Sequence, residues 1–259
     1  MKKILDKNFK KSISCLTAYS SSIAKILNGN VDLVLIGDSL GTTLYGMKNV
    51  RGVTLDMMKV HGLAVTKNID KSITVIDMPY KTYENKSEAL KNAKELIKYT
   101  NAKMLKIEIN KKNLEIIKHL SSRNLNVIAH IGVTPQSFKD FKKIKVAGQT
   151  KREANDLIYL ALEAEKLGAK AVLLECVSQK TAKKITSSLL VPTIGIGSSQ
   201  FCDGQILVFD DLIIMDKNQH MPKFVKSYLD FESMALKAIK NFSREVKEKK
   251  FPNKNYSYQ

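Results

Sequence analysis

The stretch TKREANDLIYLALEAEKLGAKAVLLEC, residues 150–176, contains one helix followed by one strand and indicates the fold. Thr150 and Glu153 have the spacing of a capping box, and apolar residues then recur with the period of an α-helix. Gly168 follows, at a place where glycine commonly ends a helix. The run AVLLEC is apolar without alternation, which is typical of a strand buried on both faces. The stretch therefore predicts a helix that packs on a buried parallel strand.

The same pattern recurs along the 259 residues of the chain. Since parallel strands need crossover connections and eight such units at this length close on themselves, we predict an α/β fold, a (β/α)8 TIM barrel, rather than an open doubly wound sheet. We expect one domain over residues 1–259, with a C-terminal helix and basic tail from about residue 230. For the tail, disorder and docking on a neighbouring subunit both stay open. The predicted strands are SISCLTA (12–18), VDLVLIG (31–37), SITVID (72–77), KMLKIE (103–108), NVIAHIG (126–132), AVLLEC (171–176), VPTIGIG (191–197) and QILVFDDLII (205–214).

Composition and charge narrow the class of protein. The net charge is +18, but the lysines are spread over every segment, and no aromatic residues are interleaved with them as base stacking would require. No apolar run is long enough for a membrane helix, and charged residues near the start interrupt any signal-peptide pattern. Three cysteines lie far apart, without metal or disulfide spacing. We therefore expect a cytoplasmic protein that binds neither nucleic acid nor membranes.

Acidic residues stand at the ends of four predicted strands. Asp38 follows VLIG, Asp77 ends TVID, Glu108 ends LKIE and Glu175 ends VLLE. In a TIM barrel the carboxyl ends of the strands line the active site. Lys106 precedes Glu108 by two residues and projects to the same side. Because the outer face of this strand must be apolar, both side chains should point inward, where unpaired charges are costly.

Each candidate also has a structural interpretation. Asp38 or Asp77 alone could cap the following helix, and Glu108 could form a salt bridge at the barrel rim. His130, in AHIG at a strand end, fits either a pocket residue or a hydrogen-bonded structural histidine. Taken together, the carboxylates and the lysine suit a hard cation such as Mg²⁺, completed by the oxygens of a 2-oxo acid. Proton loss beside the polarised carbonyl would then give an enolate, with Glu175 free for proton transfer.

An ordered series of motifs extends from Ile13 to Phe224. On these motifs the chain resembles the 3-methyl-2-oxobutanoate (ketopantoate) hydroxymethyltransferase family. They are LTAY (16–19), GDSLG (37–41), VT followed by His61, DMPY (77–80), KIE (106–108), HIGVTPQ (130–136), LLEC (173–176), PTIGIG (192–197), CDGQILV (202–208) and PKF (222–224).

The resemblance implies a barrel of the phosphoenolpyruvate/pyruvate superfamily and a specific reaction. A hydroxymethyl group would pass from 5,10-methylenetetrahydrofolate to 3-methyl-2-oxobutanoate, through a Mg²⁺-stabilised enolate, to give 2-dehydropantoate in pantothenate biosynthesis. It also implies a homo-oligomer, commonly a decamer. The basic surface offers a further hypothesis, in which it attracts the polyglutamate tail of cellular folates.

Carried over position by position, the resemblance assigns roles to individual residues. Asp38, Asp77 and Glu108 would hold the metal ion. The oxo acid would contact Asp38, Ser39, Asp77 and Lys106, and Glu175 would accept the proton. The chain departs from the family pattern at Ser20, where Asp is common, at Ile109 and Asn110, where two glycines are common, and at Gln149, where Arg is common. None of these departures removes a predicted metal or substrate ligand.

Two other functions compete with this interpretation. A metal-dependent 2-oxo acid lyase or mutase of the same superfamily would carry a cysteine-bearing loop of the KKCGH type, which the sequence lacks. A catalytically inactive barrel that serves as a basic binding module would have no need of Asp38, Asp77, Lys106, Glu108 and Glu175. The acidic set therefore favours the transferase.

Overall fold

The computed structural model describes residues 5–7, 11–139, 145–217 and 221–258. Within these residues, eight parallel strands pair in chain order and close into a barrel, since the last strand also pairs with the first. This arrangement confirms the predicted fold class. The strands are β1 (Ile13–Thr17), β2 (Leu33–Ile36), β3 (Ile73–Asp77), β4 (Met104–Glu108), β5 (Val127–Gly132), β6 (Ala171–Glu175), β7 (Thr193–Ile196) and β8 (Gly204–Leu207).

The chain divides into two compact units, Met1–Val208 and Phe209–Gln259. The first unit holds the barrel and most of the helices, and the second holds the last two helices. The helices are α1 (Ser21–Leu27), α2 (Leu40–Thr43), α3 (Leu55–Thr66), α4 (Lys86–Thr100), α5 (Glu115–Ser121), α6 (Lys151–Lys166), α7 (Gln179–Ser188), α8 (Phe209–Leu212) and α9 (Phe231–Lys247).

Helix α6 forms as its sequence predicts. The Thr150 side chain accepts the backbone N–H of Glu153, and the Glu153 carboxylate in turn accepts the backbone N–H of Thr150, which completes the capping box. Gly168 has a φ of +104° just beyond the helix, and its N–H donates to the carbonyl of Glu165. The start and the end of this helix are therefore encoded locally.

Two predictions about the end of the barrel are wrong. We expected helices throughout, but β7 and β8 are joined by residues 197–203, which form no helix. Each strand has only four residues and is about 13 Å long at about 3.3 Å per residue, so a loop of seven residues is long enough to return along it. The predicted strand 205–214 ends at Leu207, and α8 follows. A short apolar run does not distinguish a strand from a helix by periodicity.

Alternate residues of the strands fill the barrel interior. On β2 these are Leu33 and Leu35, while Val34 and Ile36 between them are buried on the outer face. The continuous apolar runs in the sequence therefore reflect burial on both faces. The interior cluster consists of Ile13, Cys15, Leu33, Leu35, Ile73, Val75, Met104, Ile128, Ala171, Leu173, Ile194 and Ile206.

The second unit contains the predicted C-terminal helix, α9, and a tail that folds back on it. The Phe251 ring lies 5.5 Å from the Phe242 ring of α9 and 5.8 Å from the Tyr256 ring. Helix α9 has no buried residue among those described. Across the described part of the chain, no helix combines the length and the apolar character needed to cross a membrane.

Candidate active site

Charged residues continue the interior pattern at the carboxyl ends of the strands. On β4, Met104 belongs to the apolar interior, and Lys106 and Glu108 follow at the next two inward positions. On β3, β5 and β6, the inward position that follows the last apolar interior residue is occupied by Asp77, His130 and Glu175. We call the resulting group, completed by Asp38 after β2, the strand-end cluster: Asp38, Asp77, Lys106, Glu108, His130 and Glu175. The structure thus brings these sequence candidates together.

Asp38 and Asp77 do not act as helix caps. Asp77 is an inward residue of β3, and its Oδ2 accepts the backbone N–H of Asp38 at 3.0 Å. The N-cap position of α2 is occupied by Ser39, whose side chain makes no capping hydrogen bond. Asp38 instead accepts a hydrogen bond on Oδ2 from the Gln136 amide at 2.7 Å. The two carboxylates therefore belong to one buried network.

Lys106 and Asp77 form a buried ion pair. Lys106 Nζ lies 3.0 Å from Asp77 Oδ1, and the two side chains are 7% and 2% exposed. Burial raises the pKa of Asp77 to about 7, against the lowering effect of the Lys106 charge. Burial lowers the pKa of Lys106, but the charges of Asp77, Asp38 and Glu108 outweigh it and raise the pKa overall. Lys106 therefore stays charged.

Glu108 is not part of a rim salt bridge, because it is buried with its carboxylate facing the barrel axis. Both of its oxygens accept the backbone N–H of Gln136 at 3.1 Å. Burial is the main cause that raises its pKa well above the usual range, and the Asp38 charge adds to it. The site thus holds carboxylates that repel one another in a poorly solvated place.

His130 bridges Lys106 and Glu175. Its Nδ1 lies 3.3 Å from Lys106 Nζ, and its Nε2 lies 3.2 Å from Glu175 Oε2, outside the alignment of a good hydrogen bond. Burial lowers the pKa of His130, and the Lys106 charge lowers it further. The ring is therefore neutral at pH 7, and its nitrogen beside the ammonium is the one without a proton. His130 therefore lies within the strand-end cluster, between Lys106 and Glu175.

Glu175 is the most accessible acid of the cluster, with a side chain that is 20% exposed. It ends β6 beside Gly132 of β5, and its carbonyl accepts the N–H of Val133 at 2.8 Å. Gly132 has a φ of +99°, and a Cβ at that residue would lie 2.3 Å from the Glu175 carbonyl oxygen. The glycine therefore allows the close approach that fixes the Glu175 backbone.

Ser39 lies at the edge of the cluster, next to Asp38. Its hydroxyl is 2.7 Å from the Tyr19 hydroxyl. His61, on α3, is 2.7 Å from the Tyr19 carbonyl through Nδ1 and 2.9 Å from the Tyr45 hydroxyl through Nε2. His61 therefore supports the LTAY segment rather than the reacting groups. His119 lies on α5 beside Arg123, and His220 lies outside the described residues.

The four residues that depart from the family pattern all lie outside the strand-end cluster. Ser20 caps α1 by accepting the N–H of Ile23. Ile109 is buried, and Asn110 accepts the N–H of Lys112 within the loop after β4. Gln149 donates its backbone N–H to Glu153 at the start of α6. Ser20 thus supplies the capping oxygen that an Asp at this position would also offer.

Gln136 and Tyr83 are central to the site, but sequence reasoning did not select them. Gln136 follows β5 in a turn, and Tyr83 precedes α4; both are buried. The Thr-Pro pair before Gln136 predicts a turn. It does not indicate that this turn lies at the barrel mouth. Only the three-dimensional contacts reveal that this amide reaches Asp38.

The carboxylates of the cluster suit a hard cation whose coordination is completed by water and substrate oxygens. Three buried carboxylates, those of Asp38, Asp77 and Glu108, face the single ammonium of Lys106. Asp77 Oδ1 is buried and lies 3.0 Å from the Lys106 ammonium, without a conventional hydrogen bond. No three His, Cys, Asp or Glu side chains among the described residues form a ready-made metal cage. Mg²⁺ is commonly held by one or two carboxylates with water and substrate oxygens, so an open set suits it.

The chain as a whole is similar in sequence to a known group of proteins. The model of the family described as Ketopantoate hydroxymethyltransferase matches residues 1–254. The 3-methyl-2-oxobutanoate hydroxymethyltransferase of Pelagibacter ubique (strain HTCC1062) is 44% identical over 260 residues, which cover 99% of each chain. The enzyme of the same name from Anaplasma marginale (strain St. Maries) is 40% identical, over 98% of this chain and 92% of that protein.

Solved structures show a likeness in fold. One is a 2,3-dimethylmalate lyase, described as a PEP mutase/isocitrate lyase superfamily member, with a TM-score of 0.61, 14% identity, and coverage of 97% of this chain and 85% of that one. Another is phosphonopyruvate hydrolase in complex with oxalate and Mg²⁺, with a TM-score of 0.58, 12% identity, and coverage of 92% and 83%. At these identities the likeness extends to the barrel fold alone.

Proposed function

The chain belongs to the ketopantoate hydroxymethyltransferase family, and we propose that its strand-end cluster transfers a hydroxymethyl group to 3-methyl-2-oxobutanoate, giving 2-dehydropantoate for pantothenate biosynthesis. The proposed one-carbon donor is 5,10-methylenetetrahydrofolate. Water supplies the oxygen of the new hydroxyl group, so the products are 2-dehydropantoate and tetrahydrofolate. The family match over nearly the whole chain disfavours a lyase or mutase of the same fold.

The oxo acid is bound by the charged and hydroxyl groups at the cluster edge. The ammonium of Lys106 and the hydroxyl of Ser39 are donors for the oxygens of the substrate. Lys106 keeps its proton because carboxylates surround it, so it pairs with the substrate carboxylate at neutral pH. Tyr19, at 2.7 Å from the Ser39 hydroxyl, orients that hydroxyl.

Glu175 takes the proton from C3 of the oxo acid. The electron pair of the C–H bond moves toward the ketone oxygen and leaves a nucleophilic C3. Water adds to the one-carbon unit as its bonds to the two folate nitrogens break, which frees tetrahydrofolate and leaves the carbon at the level of formaldehyde. C3 then attacks this carbon, and the oxygen that water supplied takes a proton to become the new hydroxyl group. Glu175 suits this role because it is the most accessible carboxylate of the cluster and neutral His130 stands beside it, 3.2 Å away. The hydrogen of the neutral ring is on Nε2, which lies near Glu175 without a well-aligned hydrogen bond, so its effect on the carboxylate is electrostatic.

Asp38, Asp77 and Glu108 are the residues that would hold Mg²⁺. When bound, the ion would polarise the ketone and offset the charge that develops on its oxygen. The observation that carries the whole proposal is the convergence of these buried carboxylates with Lys106 and Glu175 at the barrel mouth. Its test is an assay of oxo acid and methylenetetrahydrofolate, with Mg²⁺ or with a chelator. Absence of 2-dehydropantoate in the Mg²⁺ reaction would reject it.

Replacing Glu108 with alanine should weaken Mg²⁺ binding sharply, since a buried carboxylate that fits the cation is lost. The measurement is an Mg²⁺ titration of activity and of heat of binding. Glu115→Ala, at an exposed position on α5, is the control. If the Mg²⁺ requirement of Glu108→Ala matches that of the control, Glu108 is not a metal ligand.

Replacing Gly132 with alanine should lower turnover by displacing the Glu175 backbone. Gly46→Ala is a matched control, because Gly46 also has a positive φ, of +59°, but nothing lies within 4 Å of its added Cβ. Both changes carry backbone strain of about 1 kcal/mol. Only Gly132→Ala should also reduce kcat, measured beside thermal denaturation. Equal kcat values for the two variants would contradict the proposed positioning of Glu175.

We also propose that the protein works as a cytoplasmic homo-oligomer, with a decamer as the expected form. Helix α9 supports an assembly, because Met234, Ile239 and Phe242 are more than half exposed in the single chain. Light scattering coupled to gel filtration tests the size. A monomer at micromolar concentration would reject the assembly.

A further inference from the structure

Gln136 contacts two of the three proposed metal ligands at once. Its backbone N–H donates to both oxygens of Glu108 at 3.1 Å, and its side-chain amide donates to Asp38 Oδ2 at 2.7 Å. Glu108 ends β4, whereas Asp38 follows β2, so these carboxylates come from separate strands. A single buried residue therefore joins them.

The orientation of the Gln136 amide is fixed by its partners. Nε2 uses its second hydrogen on the Met78 carbonyl at 3.0 Å, and Oε1 accepts the Tyr83 hydroxyl at 2.5 Å. Rotating the amide by half a turn would place Oε1 against Asp38 and Met78, which offer only acceptors. The amide thus cannot turn without losing several buried hydrogen bonds at once.

Tyr83 connects the amide back to Glu108. The Tyr83 oxygen accepts the backbone N–H of Glu108 at 3.3 Å while its hydrogen is donated to Gln136. Burial raises the pKa of Tyr83 well above its ordinary value, and the Glu108 charge adds to this effect. The phenol therefore keeps the hydrogen that it donates.

A neutral amide orients carboxylates without cancelling their charge. A lysine or arginine at position 136 would pair with Asp38 and compete with a bound cation, whereas glutamine leaves the excess negative charge in place. We propose that Gln136, supported by Tyr83, is a positioning residue that holds Asp38 and Glu108 in the arrangement that binds Mg²⁺. This inference rests on the proposed function for the identity of the cation.

The test is direct Mg²⁺ binding, measured by calorimetry on chelator-stripped protein without substrate. Gln136→Met keeps the length of the side chain but removes its hydrogen bonds, and should raise the Kd by roughly 10- to 100-fold. Tyr83→Phe removes only the supporting hydroxyl and should raise the Kd by about 2- to 10-fold. Gln200→Met, at an exposed residue, is the control and should bind Mg²⁺ as the wild type does.

Circular dichroism and thermal denaturation establish that each variant is folded. A folded Gln136→Met with the wild-type Kd would overturn the inference, as would an unchanged Kd for Tyr83→Phe should Gln136→Met fail to fold. Product formation by the wild type is assayed separately. A wild type that makes no product while Mg²⁺ binding depends on Gln136 would overturn the proposed function and leave this inference standing.

Discussion

Glu175→Gln is expected to slow exchange of the C3 hydrogen of 3-methyl-2-oxobutanoate with solvent by roughly 10²- to 10⁴-fold. The amide keeps the size of the carboxylate but cannot accept a proton at neutral pH. The other cluster carboxylates cannot replace it, because they are buried and engaged with Lys106 or Gln136. Exchange is followed by proton NMR in deuterated buffer with Mg²⁺ and without folate.

Substrate binding separates this role from a structural one. Because Glu175 is proposed to move a proton rather than to bind the oxo acid, the Kd of the oxo acid should change little. Glu163→Gln, at a partly exposed position of α6 beside Lys166, is the matched control. Exchange at the control rate in Glu175→Gln would assign the proton transfer to another group.

Lys106→Met is expected to have the largest effect on stability, about 3–5 kcal/mol of the free energy of unfolding. The substitution keeps the aliphatic stem but leaves Asp77 and Glu108 buried without their cation. Urea denaturation of the metal-free protein measures the loss. Oxo acid binding should be lost as well, since the proposed partner of the substrate carboxylate is removed.

Lys111→Met provides the comparison for Lys106→Met. Lys111 pairs with Asp156 at 2.6 Å, but the two side chains are 59% and 47% exposed, and exposed pairs of this kind contribute at most about 1 kcal/mol. A similar loss in the free energy of unfolding for both variants would mean that burial does not determine how much the Lys106–Asp77 ion pair contributes to stability.

Sequence reasoning was most accurate for features that a single strand or helix determines locally. Lys106 and Glu108 could be assigned to the interior because their strand is apolar outside and side chains alternate. The end of α6 followed from Gly168 in the same way. Gln136 could not be found by such reasoning, since its partner Asp38 is distant in sequence and the two meet only when the barrel closes.

The end of the barrel was misjudged for a related reason. The run after Gln205 is apolar enough for a strand, but Asp210 and Asp211 lie within it, and the chain turns into α8. The seven residues between β7 and β8 carry no periodicity that separates a loop from a short helix. Periodicity needs length, and these segments are short.

Barrel closure also has a consequence for how the chain acquires its site during synthesis. All residues of the strand-end cluster lie before Cys176, so they leave the ribosome before β8 does. The barrel closes only when β8 pairs with β1, the first strand of the chain. Pairing between such distant strands is slow, because a long loop must be closed first. Until then the sheet has two open edges, and the barrel interior on which the cluster rests is not yet closed. The nascent chain therefore carries every proposed catalytic group before it has the enclosure in which they act.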